Sequence, residues 1–157
     1  EVDVAVLFAS VEQSFAGRFA EAGVELKTAV ASGITNFKAD GQRLRQVIGN
    51  LISNAVNHAP EGSAVNLSAK LDGSDVVISI QDEGPGIPSD VLASVFDRFV
   101  AHGNGRRRGG AGLGLSIVKG LVELHKGSVS IQSNAESGTR VDCRFPADPA
   151  KFRQAAE

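Results

Sequence analysis

The 157 residues contain no methionine and a single cysteine, Cys143. One cysteine excludes an internal disulfide, no Cys/His group has the spacing of zinc ligands, and a reducing, cytoplasmic setting is expected. No apolar run approaches the roughly 18 residues of a membrane span and no signal-peptide pattern opens the chain, so no membrane contact is expected of it. An excess of positive charge is also lacking. Sixteen Lys and Arg stand against eighteen Asp and Glu, a formal net charge of -2, which argues against a general nucleic-acid binder. The adjacent Arg106, Arg107 and Arg108 must therefore act locally. No Gly-Lys pair occurs, which excludes a P-loop. The absence of methionine, with glutamate at position 1, leads us to expect a piece of a longer protein.

What is present fits one soluble domain: 42% hydrophobic residues suffice for a core. Apolar residues at Val4, Leu7, Phe8, Val11, Phe15 and Phe19 predict an opening helix that Gly23 closes. "VELKTAV" (24–30) alternates as a strand, and an extended stretch at 36–38 is expected to pair with it. Asp40 then caps a helix over 41–58, whose apolar residues Leu44, Val47, Ile48, Leu51, Ile52, Ala55 and Val56 share one broad face. Pro60 and Gly62 stop it. A hairpin follows, with strands over 65–71 and 76–82 around Asp72-Gly73. A short helix and a mobile loop precede a helix over 113–124 that Gly127 ends, and two strands around "NAESG" close the chain. This order makes two layers most economically, a mixed sheet covered on one face by helices.

Three stretches carry chemistry. Asn50, Asn54, Asn57 and His58, at offsets 0, 4, 7 and 8, stack along the edge of the 41–58 helix's buried face. They are either a solvated flank or a ligand-binding stripe. Asparagine is a poor helix former, and its amide can meet phosphate oxygens and a metal or its waters. "DEGPGIP" (82–88) is either a strand-ending acid beside a turn or a base-reading site. As the latter, Asp82 would accept from the exocyclic amine of adenine and oppose the carbonyl of guanine, while Gly84 and Gly86 let backbone and base approach. In "RRRGGAGLGLSIVKG", Gly110, Gly112 and Gly114 alternate, but Leu115 breaks the dinucleotide fingerprint. A glycine-rich entry into a helix N-terminus remains, suited to an anion, with the three arginines placed to meet the same phosphates.

In this order and spacing the blocks resemble the ATP-binding catalytic domain of bacterial sensor histidine kinases. "RLRQVIGNLISNAVNHAP" resembles that family's N box, "DEGPGIP" its first glycine box, "VFDRF" its F box and "GGAGLGLSIVKGLVELHKG" its second glycine box. "SGTRVDCRF" resembles its last strand. The resemblance implies an α/β sandwich over residues 1–147, a flexible ATP lid over about 97–112, and a tail over 148–157. It implies that Asn54 is the Mg2+ ligand, with Asn50 beside it. Asp82 would read the adenine amine, Gly84, Gly86 and Ile87 would wall the base, and His58 would pack near the nucleotide. Gly110, Gly112, Leu113, Gly114 and Leu115 would cradle the phosphates, and Thr139 would support Asp82. Phe96 and Phe99 resemble the lid hinge, with plain core packing as the alternative, and His125 a structural, helix-ending histidine. Many members of the family have lysine where this chain has Asn57, so one phosphate contact is missing or is supplied by the arginines.

Related ATPases place a glutamate four residues before the metal-binding asparagine, as a base for water. That position here is Asn50, which cannot act as a base, so phosphoryl transfer rather than hydrolysis is expected. Of His58, His102 and His125, none begins the His-acid-Leu-Arg-x-Pro pattern of the family's phosphoacceptor helix. The acceptor is expected on an upstream dimerisation domain of the same protein, homodimeric in the parent, with a response regulator as the onward partner and this fragment monomeric. The parent can be soluble or membrane-anchored. An anti-sigma-type serine kinase and a degenerate nucleotide-binding interaction module are the alternatives.

Overall fold

The computed structural model describes residues 2–34, 36–92, 95–96 and 114–146. A two-residue strand β1 (Val2–Asp3) leads into helix α1 (Val4–Ala22), which Asp3 caps by accepting from the N–H of Val6 and which Gly23 closes in the left-handed conformation. Strand β2 (Glu25–Val30) and the short β3 (Asn36–Phe37) precede helix α2 (Gly41–His58). The hairpin β4 (Ala64–Asp72) and β5 (Asp75–Asp82), a single turn α3 (Ser89–Leu92), helix α4 (Gly114–Leu124), and the hairpin β6 (Ser128–Asn134) and β7 (Gly138–Pro146) complete the order.

Five strands form one mixed sheet in the order β2-β4-β5-β7-β6, with β2 parallel to β4 and the remaining neighbours antiparallel. Helices α1, α2 and α4 lie over one face. This is the α/β sandwich expected from the sequence. One expectation fails: β3 pairs antiparallel with β1, Val2 opposite Phe37, and not with β2. A turn at 32–33 follows β2 and separates it from β3, and β2 pairs in parallel with β4 instead, Glu25 opposite Ala64.

The apolar stripe of α2 is the centre of the core. Leu44, Ile48 and Ile52 are fully buried there, beneath them Val65, Leu67 and Ile78 from β4 and β5. Strand β5 is buried along nearly its whole length because the second sheet face is also covered around it: Ser79 bonds Asp142, which pairs with Arg140. The most enclosed strand therefore delivers Asp82 at its end.

Helix positions are pinned by polar contacts that periodicity does not reveal. Asp40 Oδ1 accepts from the N–H groups of Gln42 and Arg43 at 3.1 and 3.2 Å, the expected N-cap. The backbone N–H of Asp40 donates in turn to His125 Nε2 at 3.1 Å, while His125 Nδ1 lies 2.8 Å from the carbonyl of Leu121 and the ring meets Phe145 edge-on. Both bonds are made by the neutral imidazole with its proton on Nδ1. His125 thus ties the end of α4 to the start of α2. His125→Ala should lower stability by about 1–2 kcal/mol, read as a fall of a few degrees in the melting temperature; an unchanged melting curve would remove this role. The left-handed residue after α4 is Lys126 (φ 62°), not Gly127. Gly127 is needed for a different reason, since a Cβ there would lie 2.1 Å from the carbonyl oxygen of Arg144.

Candidate functional site

Asp82 ends β5 opposite Thr139 of β7 and is 7% exposed. Its Oδ1 accepts from the N–H of Gly84 at 2.8 Å. Burial pushes its pKa above the ordinary carboxylate range, against the N–H groups of Gly84 and Thr139 and the nearby His58, which favour the charged form. No Lys or Arg among the described residues pairs with it. A carboxylate withdrawn from water without a cation is costly, and groups kept under such strain concentrate at functional sites.

The segment after Asp82 is clamped on both sides. Glu83 Oε2 accepts from the N–H of Ala64 at 2.9 Å. A Cβ on Gly84 would lie 2.8 Å from the carbonyl oxygen of His58, and one on Gly86, which has φ 81°, would lie 2.5 Å from the carbonyl oxygen of Asn134. Both glycines are demanded by close approach, the first to the end of α2 and the second to the β6–β7 hairpin. The N–H of Ile87 donates to Ser133 Oγ at 2.6 Å, and that hydroxyl lies 2.8 Å from Thr139 Oγ1. Thr139 therefore meets Asp82 through its backbone while its hydroxyl belongs to Ser133. Sequence reading misses Ser133. Its signal is the register that sets it opposite Thr139, which exists only once β6 and β7 pair.

On α2 the polar stripe divides. Asn50 and Asn54 are half-buried, and neither amide hydrogen-bonds to a described residue. Asn57 is exposed and its Oδ1 accepts from Arg18 of α1 at 2.6 Å, so the structure does not group it with the free pair. His58 ends the helix, exposed, close enough for its charge to act on Asp82. Across from α2, α4 starts at Gly114. Leu115 is 5% exposed and its side chain joins the core, which leaves its backbone alone to face an anion. Phe96 packs on the core beside the buried Val95. Phe99, Arg106, Arg107, Arg108, Gly110, Gly112 and Leu113, with the expected lid and tail, lie outside the described residues.

The described groups fit a nucleotide and a hard divalent ion. No cluster of three or more His, Cys, Asp or Glu able to hold a metal exists among the described residues. An unpartnered amide oxygen on a rigid helix is the kind of single protein ligand that Mg2+ accepts when phosphates and water supply the rest. Asp82, held beside the tight Gly84–Gly86 turn, offers a carboxylate acceptor at the end of β5.

Residues 39–149 match the family of histidine kinase-, DNA gyrase B- and HSP90-like ATPases. The chain belongs to this family. Several of the similar proteins within it are named as histidine kinases. Sensor protein DivL of Caulobacter vibrioides is 41% identical over 124 residues, which cover 79% of this chain and 16% of DivL. Full-length ShkA, solved in complex with AMPPNP, matches with a TM-score of 0.80 at 35% identity, over 94% of this chain and 32% of that one. The catalytic domain of the histidine kinase ThkA matches with a TM-score of 0.84 over 96% of each chain, at 24% identity, a likeness of fold. The chain is thus a histidine-kinase-type catalytic ATPase domain and spans less than a third of DivL and of ShkA. No helix among its described residues is long and apolar enough to cross a membrane.

Proposed function

We propose that this domain binds Mg2+-ATP between α2 and the glycine-rich approach to α4. It then donates the γ-phosphoryl group to a histidine on a separate dimerisation and acceptor domain of the same protein, from which a response regulator is charged. The observation that carries the reading is Asp82: a nearly buried carboxylate with no Lys or Arg partner among the described residues, held beside a turn that only glycine can make. Such a group is complementary to an uncharged hydrogen-bond donor, as the adenine amine is. Asn54 would hold Mg2+ with Asn50 beside it, and the ion would offset charge on the phosphates. Thr139 and Ser133 would keep the base-facing turn in place.

The residues present favour transfer over hydrolysis. Asn50 is neutral and cannot take a proton from water, whereas a neutral imidazole acceptor already offers a lone pair near pH 7. What remains for the protein is alignment and charge neutralisation. Nor is His125 a suitable acceptor, because both its ring nitrogens are engaged, one by Asp40 and one by Leu121. We therefore place the acceptor outside this chain, residues 1–147 as the catalytic unit and 148–157 as its tail, in a parent working in the cytoplasm.

Incubation with Mg2+ and γ-labelled ATP, with and without an added dimeric acceptor domain, tests this. Acid-labile label should appear on the acceptor and not on the chain itself. Asn54→Ala should slow the transfer by about ten- to a hundredfold. Stable label on the isolated chain, or none on any acceptor despite ATP binding, would count against phosphoryl donation; the latter would favour a domain that only binds nucleotide.

A further inference from the structure

Arg43, Arg140 and Arg144 bind carboxylates, the ordinary fate of a surface arginine. Arg18 is held differently. From α1 its Nη1 donates to Ser53 Oγ at 2.8 Å and its Nη2 to Asn57 Oδ1 at 2.6 Å, both neutral groups on α2. Its guanidinium carbon lies 5.8 Å from the centre of the Phe15 ring, a contact that restrains the plane without neutralising it. No carboxylate among the described residues comes within ion-pair distance. The charge is fixed in place by two helices and meets no carboxylate among the described residues.

Its place on α2 gives this meaning. Asn57 follows Asn54 by three residues, and residues three apart on a helix stand about 5–6 Å apart at Cβ. The guanidinium is therefore anchored one turn from an unpartnered, half-buried amide. Two of its five N–H groups are used and three are left for oxygens. Positioned donors and positive charge beside a free amide suit an anion with several oxygens, and the charge gains little from a neutral base or sugar.

We propose that Arg18 is a phosphate-binding residue of the nucleotide site, tethered by Ser53 and Asn57 so that it meets the polyphosphate of ATP beside Asn54. This rests on the nucleotide reading above. It makes the exposed side of α1 part of the site, and it makes Asn57 the anchor of a cation instead of a direct ligand.

Equilibrium titrations with ATP, ADP and adenosine separate the possibilities, using the whole chain unaltered, as Arg18→Gln, and as Arg18→Gln with Asn57→Lys. Glutamine keeps an amide for Ser53 and removes the charge. Arg18→Gln should weaken ATP about three- to tenfold, ADP less and adenosine not at all. The gap should narrow as KCl is raised, and Asn57→Lys should recover part of the loss by returning a cation to the same spot. Equal ATP affinity of Arg18→Gln and the unaltered chain overturns this inference alone. An equal loss for ATP and adenosine also overturns it, assigning Arg18 to the α1–α2 contact. If the unaltered chain binds neither ATP nor adenosine, the nucleotide reading falls and this inference with it.

Discussion

Asp82→Asn is expected to lower ATP affinity roughly a hundred- to a thousandfold while leaving the fold intact. Asparagine is the same size, and its Oδ1 can still accept from the N–H of Gly84, where Asp82 Oδ1 now lies at 2.8 Å. The other terminal atom changes from acceptor to donor and would face the donor amine of adenine. A site built around a hydrogen bond rejects a ligand that cannot make it by far more than a lost contact, because buried polar groups are left unpaired. The free protein behaves oppositely. Burial raises the pKa of Asp82, so the folded state holds its proton more tightly than the unfolded chain, and the ionised form at pH 7 costs stability. Without nucleotide, Asp82→Asn should melt at the same temperature as the unaltered chain or higher. As pH falls through the raised pKa towards the ordinary carboxylate value of about 3.9, the unaltered chain regains the difference and the gap should close. A mutant that melts much lower at pH 7 would show that the carboxylate holds the fold and not a ligand.

Gly138→Ala should damage fold and site together. Gly138 has φ 77°, and a Cβ there would lie 2.1 Å from the carbonyl oxygen of Asp82 and 2.9 Å from its carbonyl carbon. The left-handed conformation alone costs a non-glycine residue about 1–2 kcal/mol. The collision is with backbone, so the end of β5 must also move away from β7, taking Asp82 with it. A total of about 3 kcal/mol or more is expected, and at about 2–4 °C per kcal/mol for a domain near this size the melting temperature should fall by roughly 6–12 °C. Gly73 provides the control: its φ is 63°, and a Cβ there would meet nothing within 4 Å. Gly73→Ala should show the conformational cost alone and keep nucleotide binding. Equal effects at the two positions would mean that the hairpin end yields without disturbing Asp82.

The residues that were readable in advance are those whose signal is local. The 3.6-residue pattern of α2 names its seven core positions, all of which are buried, and the caps at Asp40 and Gly23 announce themselves by residue type. Asp82 stands out because a charged residue ends the most apolar strand. What local pattern does not carry is pairing across distance. The β1–β3 ladder and the parallel β2–β4 contact depend on how α1 and α2 settle on the sheet, and two-residue strands have no periodicity to read. Ser133 resembles any turn serine until β6 and β7 fix it over Ile87. Arg18 lies 39 residues from Asn57, and no spacing rule on one helix detects a partner supplied by another. The offsets of Asn50, Asn54, Asn57 and His58 make them one stripe, and the fold divides it because α1 places Arg18 on Asn57.

Adenine-nucleotide binding at Asp82 is tested most directly by comparing the melting of the chain in Mg2+ with ATP, ADP or GTP. At about 100 times the dissociation constant a ligand adds about 2.7 kcal/mol, which at about 2–4 °C per kcal/mol is a rise of roughly 5–11 °C. ATP and ADP should produce such a rise in the unaltered chain and not in Asp82→Asn, and GTP should produce none. Equal rises with ATP and GTP, or no rise with millimolar ATP, would contradict a site that reads adenine at Asp82.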